Sequence, residues 1–308
     1  MFDASVIIPA YNASETLNEA VLSIDRASER FGGEVEKIII EDTTGKGPSW
    51  ARNRGLEKAR GKVVFFCDAD DMVKEDFFVK PYSALMERDA DMCFFTYDGG
   101  PQIPDETTRG LHEVRQKYLP AFFGYSMDDV RRWNEGGNLS LYKLPGQVWR
   151  CAFRRSFLEE NSLFFNEEMT FFEDAAFLSS CIASARSVAS LSDSLYMYKP
   201  RADGNLASGW RKERNWQYKF LSLDFRRRLD AKHGGNLWKY CQASCVFSAL
   251  ELFKAGEDWL KYISQERVAE ALDAFPLSFR HPFTAVAVQF LRIFSKKIPP
   301  RPSKGNMV

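Results

Sequence analysis

Three carboxylates crowd the end of one apolar run: Asp68, Asp70 and Asp71 in VVFFCDADDM, Val63 to Met72. Like charges this close repel, so the cluster calls for a compensating positive charge. The four apolar residues before it read as a buried strand. In an open α/β sheet, ligands bind just beyond the carboxyl ends of the strands. A second apolar run, EKIIIED, also ends in acid, at Glu41–Asp42, and a further pair, Glu173–Asp174, stands far downstream in FFEDAAFL. The first strand is followed by AYN rather than a glycine-rich turn, and there is no P-loop, so backbone amides at a helix start are not what would cradle a phosphate. The alternative for a polyphosphate is a hard divalent cation held by carboxylates and bridging to phosphate oxygens. Asp68 and Asp70, at i and i+2 on a loop leaving a strand, can converge on such an ion. The other reading of the cluster is a solvated turn that caps the next helix.

The elements that must position these acids alternate. SVIIP, EKIIIED, KVVFFCDADD and DMCFFTYD read as buried strands, and the segments between them show helical periodicity. Ser14 is placed to cap the first helix, in which Leu17, Ala20, Val21 and Ile24 recur. In GPSWARNRGLEKARG, Pro48 marks a helix start, Trp50, Ala51 and Leu56 face inward, and Gly61 is the stop. Continuous apolar strands alternating with helices predict a mostly parallel sheet flanked by helices on both faces, a Rossmann-like α/β class. Residues 98–145 are rich in Gly, Pro, Asp and Arg and only weakly periodic, which marks a functional or mobile segment. FFEDAAFLSSCIASA reads as a helix and SLYMYK as a strand. From about Trp210 the pattern is helical, and PRADGNLASG supplies a boundary near 205–212.

Bulk composition narrows the function. The 308 residues carry 42 Lys plus Arg against 42 Asp plus Glu, so no global electrostatic footprint for nucleic acid exists. The 45% apolar content fills a sizeable core. The six cysteines lie in apolar contexts and are expected to be buried and structural, with no disulfide framework or metal site. MFDASVIIPAYN runs straight into a strand without a basic leader, and no stretch is long enough to span a bilayer. The expectation is a cytoplasmic protein. The last segment, PFTAVAVQFLRIFSKKIPPRPSKG, joins an apolar helical run to Arg292, Lys296, Lys297, Arg301 and Lys304. It suits peripheral contact with the cytoplasmic face of the membrane, or simple docking on its own domain with a solvated tail.

Several pieces, taken in order, resemble the inverting family 2 glycosyltransferases with their GT-A fold. They are SVIIPAYNASETL, the Glu41–Asp42 pair, SWARNRGLEKARGKVVFFCDADD, VWRCAFRRSFLEENSLFFNEE and FFEDAAFL, followed by SLYMYKPRADGNLAS as a worn form of the family's closing segment. The resemblance covers about residues 4–207 and implies a nucleotide-sugar glycosyltransferase domain over 1–207. Residues 208–308 then form a helical extension for acceptor, oligomer or membrane contacts.

The resemblance also implies roles. The activity is transfer of a sugar from a nucleotide diphospho-sugar, with a UDP-sugar favoured, to a hydroxyl of a glycan, polysaccharide or lipid-linked acceptor. The loop Pro9–Tyr11 with Asn12, together with Asp42, would hold the nucleobase, and Arg52 and Asn53 would line the same pocket. Asp68-Ala69-Asp70 corresponds to the DxD motif. Asp70 would contact Mn²⁺ or Mg²⁺, Asp68 would touch donor or metal, and Asp71 would cap the next helix. Asp174 would be the base, with Glu173 orienting the acceptor or the metal. Trp149 and Arg150 would stand on the acceptor side, or Trp149 would be simple core. Lys199 and Arg201 replace the closing Arg as candidates to meet the diphosphate, and Glu41-Asp42-Thr43-Thr44 departs from the usual Asp-Asp-Gly-Ser. A competing class is a non-catalytic sugar-nucleotide-binding or scaffold module. Loss of Asp42, Asp68, Asp70 or Asp174 would favour it, and all four are present.

Overall fold

The computed structural model describes residues 2–137, 146–169, 171–199, 217–278 and 280–297. Two compact units divide the chain: Met1–Tyr118 with Leu144–Glu213, and Leu119–Lys143 with Arg214–Val308. The expected boundary at 207/208 lies outside the described residues. Residues 119–137, expected within the first domain, group with the second unit.

The first unit is built on strands β1 (Ala4–Ala10), β2 (Val35–Glu41), β3 (Val63–Phe66), β4 (Met72–Val73), β5 (Met92–Tyr97), β6 (Glu106–Arg109), β7 (Cys151–Arg154) and β8 (Ser187–Met197). They form one sheet ordered β2-β1-β3-β7-β5-β8-β4, with β6 also paired to β8. β1 runs parallel to β2 and β3, and β5 runs parallel to β8. β7 is antiparallel between β3 and β5, so β3 and β5 point the same way. β4 and β6 are antiparallel to β8. Five strands therefore share one direction and the sheet is mixed but mostly parallel, as the apolar runs predict. β4, β6 and β7 were not visible as strands in the sequence. They are two to four residues long, too short to show a period, and their pairing is set by partners distant in the chain.

Alternation along β3 sends adjacent rings to opposite faces of the sheet. Phe65 packs with Phe77 and Phe78 at centroid separations of 5.2 and 5.0 Å. Phe66 instead meets Phe153, Phe165 and Phe177 at 6.1, 5.6 and 6.2 Å. Both faces are thus sealed by aromatic clusters, and the acids at the strand end are the first groups beyond the core.

Three helices cover the N-terminal half: α1 (Leu17–Phe31), α2 (Pro48–Lys58) and α3 (Val79–Glu87). The residue preceding α1 is Thr16 rather than Ser14, and its side chain makes no capping hydrogen bond. α2 begins at Pro48 as expected, but it buries Ser49, Ala51, Arg52, Asn53 and Gly55, while Trp50 and Leu56 are only half-buried. Gly55 lets α2 approach β1, because a Cβ there would lie 2.3 Å from Ile7 Cγ2. Gly61 does not end α2, whose C-terminal neighbour is Ala59. Its lack of a side chain serves a close approach instead: a Cβ would lie 2.3 Å from the Ala4 carbonyl carbon and 2.5 Å from Ser5 N. The same turn is fastened by Gly61 N donating to Ser5 Oγ at 2.7 Å, and Ser5 Oγ donating to Glu36 Oε1 at 2.7 Å.

The second unit is helical. Met127–Asn134 opens with a capping box between Ser126 and Asp129. Gln217–Lys232, Gln242–Ala255, Trp259–Ile263, Glu266–Ala274 and Pro282–Lys297 follow. Within this unit Arg226 Nε donates to Phe123 O at 2.8 Å, and Ala243 N donates to Tyr125 O at 3.0 Å. All six cysteines are buried free thiols, as their apolar contexts predict. No described helix is long and apolar enough to cross a membrane.

Gly61→Ala is expected to destabilise the protein by about 1–3 kcal/mol, the range for inserting a methyl into a filled site. Urea denaturation checks it through a lowered midpoint at unchanged slope.

Candidate active site

The carboxyl ends of β1, β2 and β3 lie side by side, since β1 pairs with both neighbours in parallel and Ala10 is opposite Glu41. The chain leaves β3 through Cys67 into a turn closed by Asp71 N donating to Asp68 O at 3.2 Å. The positive charge that the acid cluster requires is supplied from α2. Arg52, only 4% exposed, donates through Nη1 to Asp174 Oδ1 at 2.7 Å and to Glu173 Oε1 at 3.4 Å, and through Nη2 to Asp68 Oδ1 at 3.1 Å. Its guanidinium also lies over the Phe165 ring, 5.4 Å from the centroid. One cation therefore gathers carboxylates from the β3 turn and from the helix Glu173–Ser184.

The acid pair is aimed by a local irregularity. Phe172 adopts a left-handed conformation, φ +69°, immediately before Glu173. That conformation is costly for a bulky side chain and persists only where its surroundings hold it. Glu173 and Asp174 then occupy the first helical turn, where the helix dipole favours negative charge. Asp174 Oδ2 accepts from Val148 N at 3.1 Å, which ties the pair to the start of the Val148–Arg150 turn.

Three carboxylates share one guanidinium. Burial pushes the Asp174 carboxyl well above its ordinary value. Arg52 opposes that shift, while the neighbouring Glu173 and Asp68 charges reinforce it. Burial pulls Arg52 down, but Asp174, Asp68 and Glu173 outweigh it and hold the guanidinium firmly charged.

Asp71 does not cap a helix. It is buried, accepts from Tyr196 Oη and from Lys199 N, both at 2.8 Å, and so ties the turn to the end of β8. Burial, with the Asp68 and Asp70 charges, pushes its carboxyl up to about 7 against the Lys199 N–H and Tyr196 hydrogen bonds. Tyr196 Oη also accepts from Asp68 N at 3.1 Å. Ala69 is buried and Asp70 half-buried in the same turn.

At the β1 and β2 ends, Pro9 is half-buried and Tyr11 and Asn12 are exposed, Asn12 with φ +49°. A Cβ on Gly45 would lie 3.9 Å from Tyr11 Oη, so the ring rests beside the turn that follows Asp42. Asp42 itself closes that turn: Oδ2 accepts from Gly47 N at 2.7 Å and Oδ1 from Thr44 N at 3.2 Å. Burial raises its pKa, but the backbone N–H groups of Lys46, Gly47, Thr44 and Gly45 outweigh burial and hold it below the ordinary value.

Asn53 and Arg150 sit differently from their sequence-based expectation, and Trp149 takes the core position that was its other reading. Asn53 was expected in the nucleobase pocket. Its Nδ2 donates to Phe165 O at 3.0 Å and Glu167 Oε1 at 2.8 Å, and its Oδ1 accepts from Phe165 N at 2.8 Å, so the amide pins the 165–167 segment. Arg150, expected on the acceptor side, is fully buried with Nε donating to Phe95 O at 3.1 Å. Trp149 is also buried, stacked 4.2 Å from Tyr196 and 6.0 Å from Tyr198, with the edge-on Tyr97 at 5.0 Å. Lys199 Nζ pairs with Glu19 Oε2 at 2.5 Å, and Arg201 lies outside the described residues. The bridging role of Arg52 was missed in the sequence. Its signal was a cation four residues into a helix that packs on the sheet, with no acid of its own within a helical turn.

Mn²⁺ or Mg²⁺ can be tested against this donor set. Among the described residues no trio of His, Cys, Asp or Glu converges to hold an ion unaided. Mg²⁺ and similar ions are commonly held by one or two carboxylates, with phosphate and water completing the shell. Asp68, whose side chain stays 28% exposed while its Oδ1 meets Arg52, and Asp70 two residues on supply hard oxygen donors of that kind. The residues fit such an ion.

This sheet, with its acid-tipped central strand and returning acid pair, is a GT-A fold. The structure is similar over 96% of its length to a crystal structure of Staphylococcus aureus TarS residues 1–349, with a TM-score of 0.56 at 17% identity, covering 90% of that chain. Residues 5–160 match the model of glycosyl transferase family 2, and the chain belongs to that family. In sequence it is 25% identical over 224 residues to an uncharacterized glycosyltransferase of Bacillus subtilis, EpsJ, covering 63% of this chain and 60% of that protein. It is 24% identical over 231 residues to the poly(ribitol-phosphate) β-N-acetylglucosaminyltransferase TarS of S. aureus, covering 66% of this chain and 36% of that protein. The match thus spans less than two thirds of either relative's length.

Arg52→Ala should leave three carboxylates facing one another, at a cost of about 3–5 kcal/mol at pH 8, the range for breaking a buried ion pair. A carboxylate whose folded pKa is raised contributes stability at low pH and loses it as pH rises through that value. The deficit should therefore shrink when denaturation is repeated at pH 5.

Proposed function

We propose that this protein is a metal-dependent inverting glycosyltransferase that moves a sugar from a UDP-sugar to a hydroxyl of a glycan, polysaccharide or lipid-linked acceptor. The observation that carries the reading is the Arg52 bridge, which holds Asp68 of the DxD turn within one guanidinium's reach of Asp174. Donor binding and proton removal are thereby built into one constellation.

In this reading Tyr11 offers a flat face to the uracil, and Asp42, ionised and fixed by the 43–47 turn, accepts from the base N–H. Asp70, with Asp68, holds the cation, which when bound would offset the diphosphate charge and stabilise the leaving group. Asp174 takes the proton of the acceptor hydroxyl. Its raised pKa suits that task, because a general base works best with a pKa near the working pH. Arg52 and Val148 N fix the carboxyl's orientation, and Glu173 beside it orients the acceptor. The relative from S. aureus is named for N-acetylglucosaminyl transfer, which makes UDP-N-acetylglucosamine the first donor to try.

A thermal-shift panel of UDP-, GDP- and dTDP-sugars with and without Mn²⁺ reads donor choice, since a ligand bound to the folded state raises its apparent stability. The UDP-sugar with Mn²⁺ should give the largest shift, and Asp70→Ala should remove its metal-dependent part. Asp174→Asn should keep the shift and lose transfer by roughly 10²–10⁴-fold, the usual worth of a general base. Transfer at the wild-type rate in Asp174→Asn would refute the assignment of the base.

A further inference from the structure

The helix Pro282–Lys297 is apolar on two opposite sides. Val288 and Leu291 are buried within the second unit. Phe283, Val286 and Ile293 are 90%, 71% and 47% exposed, and with the partly exposed Phe290 they recur at i, i+3, i+7 and i+10. At 100° per residue these four fall within one narrow arc, opposite the arc of Val288 and Leu291. Docking on its own unit therefore accounts for one face, and the described residues leave the other uncovered. Phe290 anchors the exposed face from below, with ring centroids 5.2 Å from Phe253 and 4.5 Å from Phe294. Leu260, next to Trp259 in the same aromatic group, is exposed as well.

Charge narrows what covers this face. From Arg280 to Val308 the sequence contains Arg280, Arg292, Lys296, Lys297, Arg301 and Lys304 and no Asp or Glu. In a chain whose acids and bases balance at 42 each, an acid-free stretch of this length is a local positive field. Arg292 is turned inward, with Nε donating to Leu272 O at 2.6 Å, and Lys296 pairs with Asp273 at 3.2 Å. Lys297 lies in the arc of the apolar stripe, at its C-terminal end. A 16-residue helix of this kind is too short to span a bilayer but suits its surface. A second copy of the chain would bring the same cationic end against itself in any parallel arrangement.

We propose that the Pro282–Lys297 helix lies on an anionic lipid surface, with Phe283, Val286, Phe290 and Ile293 against the acyl chains and Lys297, at the basic end of the helix, among the headgroups. The interaction uses no residue of the candidate active site and does not depend on the reaction assigned to it.

Co-sedimentation of the full chain with phosphatidylcholine vesicles, with and without phosphatidylglycerol, tests this. Wild type should pellet with the anionic vesicles, pellet poorly with phosphatidylcholine alone, and be released by salt. Phe283→Ser with Val286→Ser replaces exposed side chains only, and circular dichroism should show an unchanged fold. That variant should bind roughly tenfold or more weakly, given the apolar area withdrawn from the interface. Replacing Lys297, Arg301 and Lys304 with Gln should weaken binding by at least tenfold, at roughly fivefold per basic residue near an anionic surface. Equal pelleting of wild type and both variants, or no pelleting of wild type, would overturn the proposal. So would a lipid-free dimer, seen by analytical ultracentrifugation, that the Phe283→Ser/Val286→Ser variant abolishes.

Discussion

Arg52 is the constraint around which the first unit is organised. A buried guanidinium is tolerated only when its charge is met, and three carboxylates meet it through Nη1 and Nη2. The requirement acts in both directions. Asp68, Glu173 and Asp174 would repel one another without Arg52, and Arg52 would be an uncompensated buried charge without them. The residues involved come from α2, from the turn after β3 and from a helix more than a hundred residues later. The fold is thus under electrostatic demand to bring that helix back to the strand ends. The left-handed Phe172 shows the demand locally, since a strained residue sets the angle at which the acid pair arrives.

A second set of contacts keeps the β3 turn in register with β8. Buried Asp71 takes hydrogen bonds from Tyr196 Oη and Lys199 N, and Tyr196 stacks on Trp149. The same turn is therefore held from one side by a charged bridge and from the other by a buried acid under an aromatic stack. Rigid support of this kind is what a site needs if its donors are to stay within a few tenths of an ångström of working geometry. Between the two supports Asp70 stays half-buried, at the place where the donor diphosphate is proposed to meet the cation.

Much of this was legible in the sequence, and the parts that were not share a cause. Four apolar strands, β1, β2, β3 and β5, declared themselves by hydrophobic runs, three of them ending in acid. Pro48 fixed the start of α2. The five motif pieces in order pointed to the family that residues 5–160 match. β7, inserted antiparallel between β3 and β5, left no trace, because CAFR is too short to carry a period and its neighbours are 60 to 90 positions distant. Asn53 and Arg150 read as ligand-facing polar groups, yet both serve the backbone of distant segments. Arg52 read as a pocket residue on a helix surface, because its partners Asp68 and Asp174 lie 16 and 122 positions away. Local pattern shows which residues can do chemistry. It does not show which of them are spent on holding the others, since that depends on contacts made only after the chain has returned on itself.

The central claim is that Arg52 and Asp174 act as one unit rather than as two independent residues. A double-mutant cycle in denaturant-induced unfolding, with Arg52→Gln, Asp174→Asn and the pair, measures this directly. A coupling of roughly 1–3 kcal/mol is expected, with the double variant more stable than the sum of the single losses implies, because neither leaves the other's charge stranded. Additivity within about 0.5 kcal/mol, the behaviour of residues that do not share a contact, would contradict it.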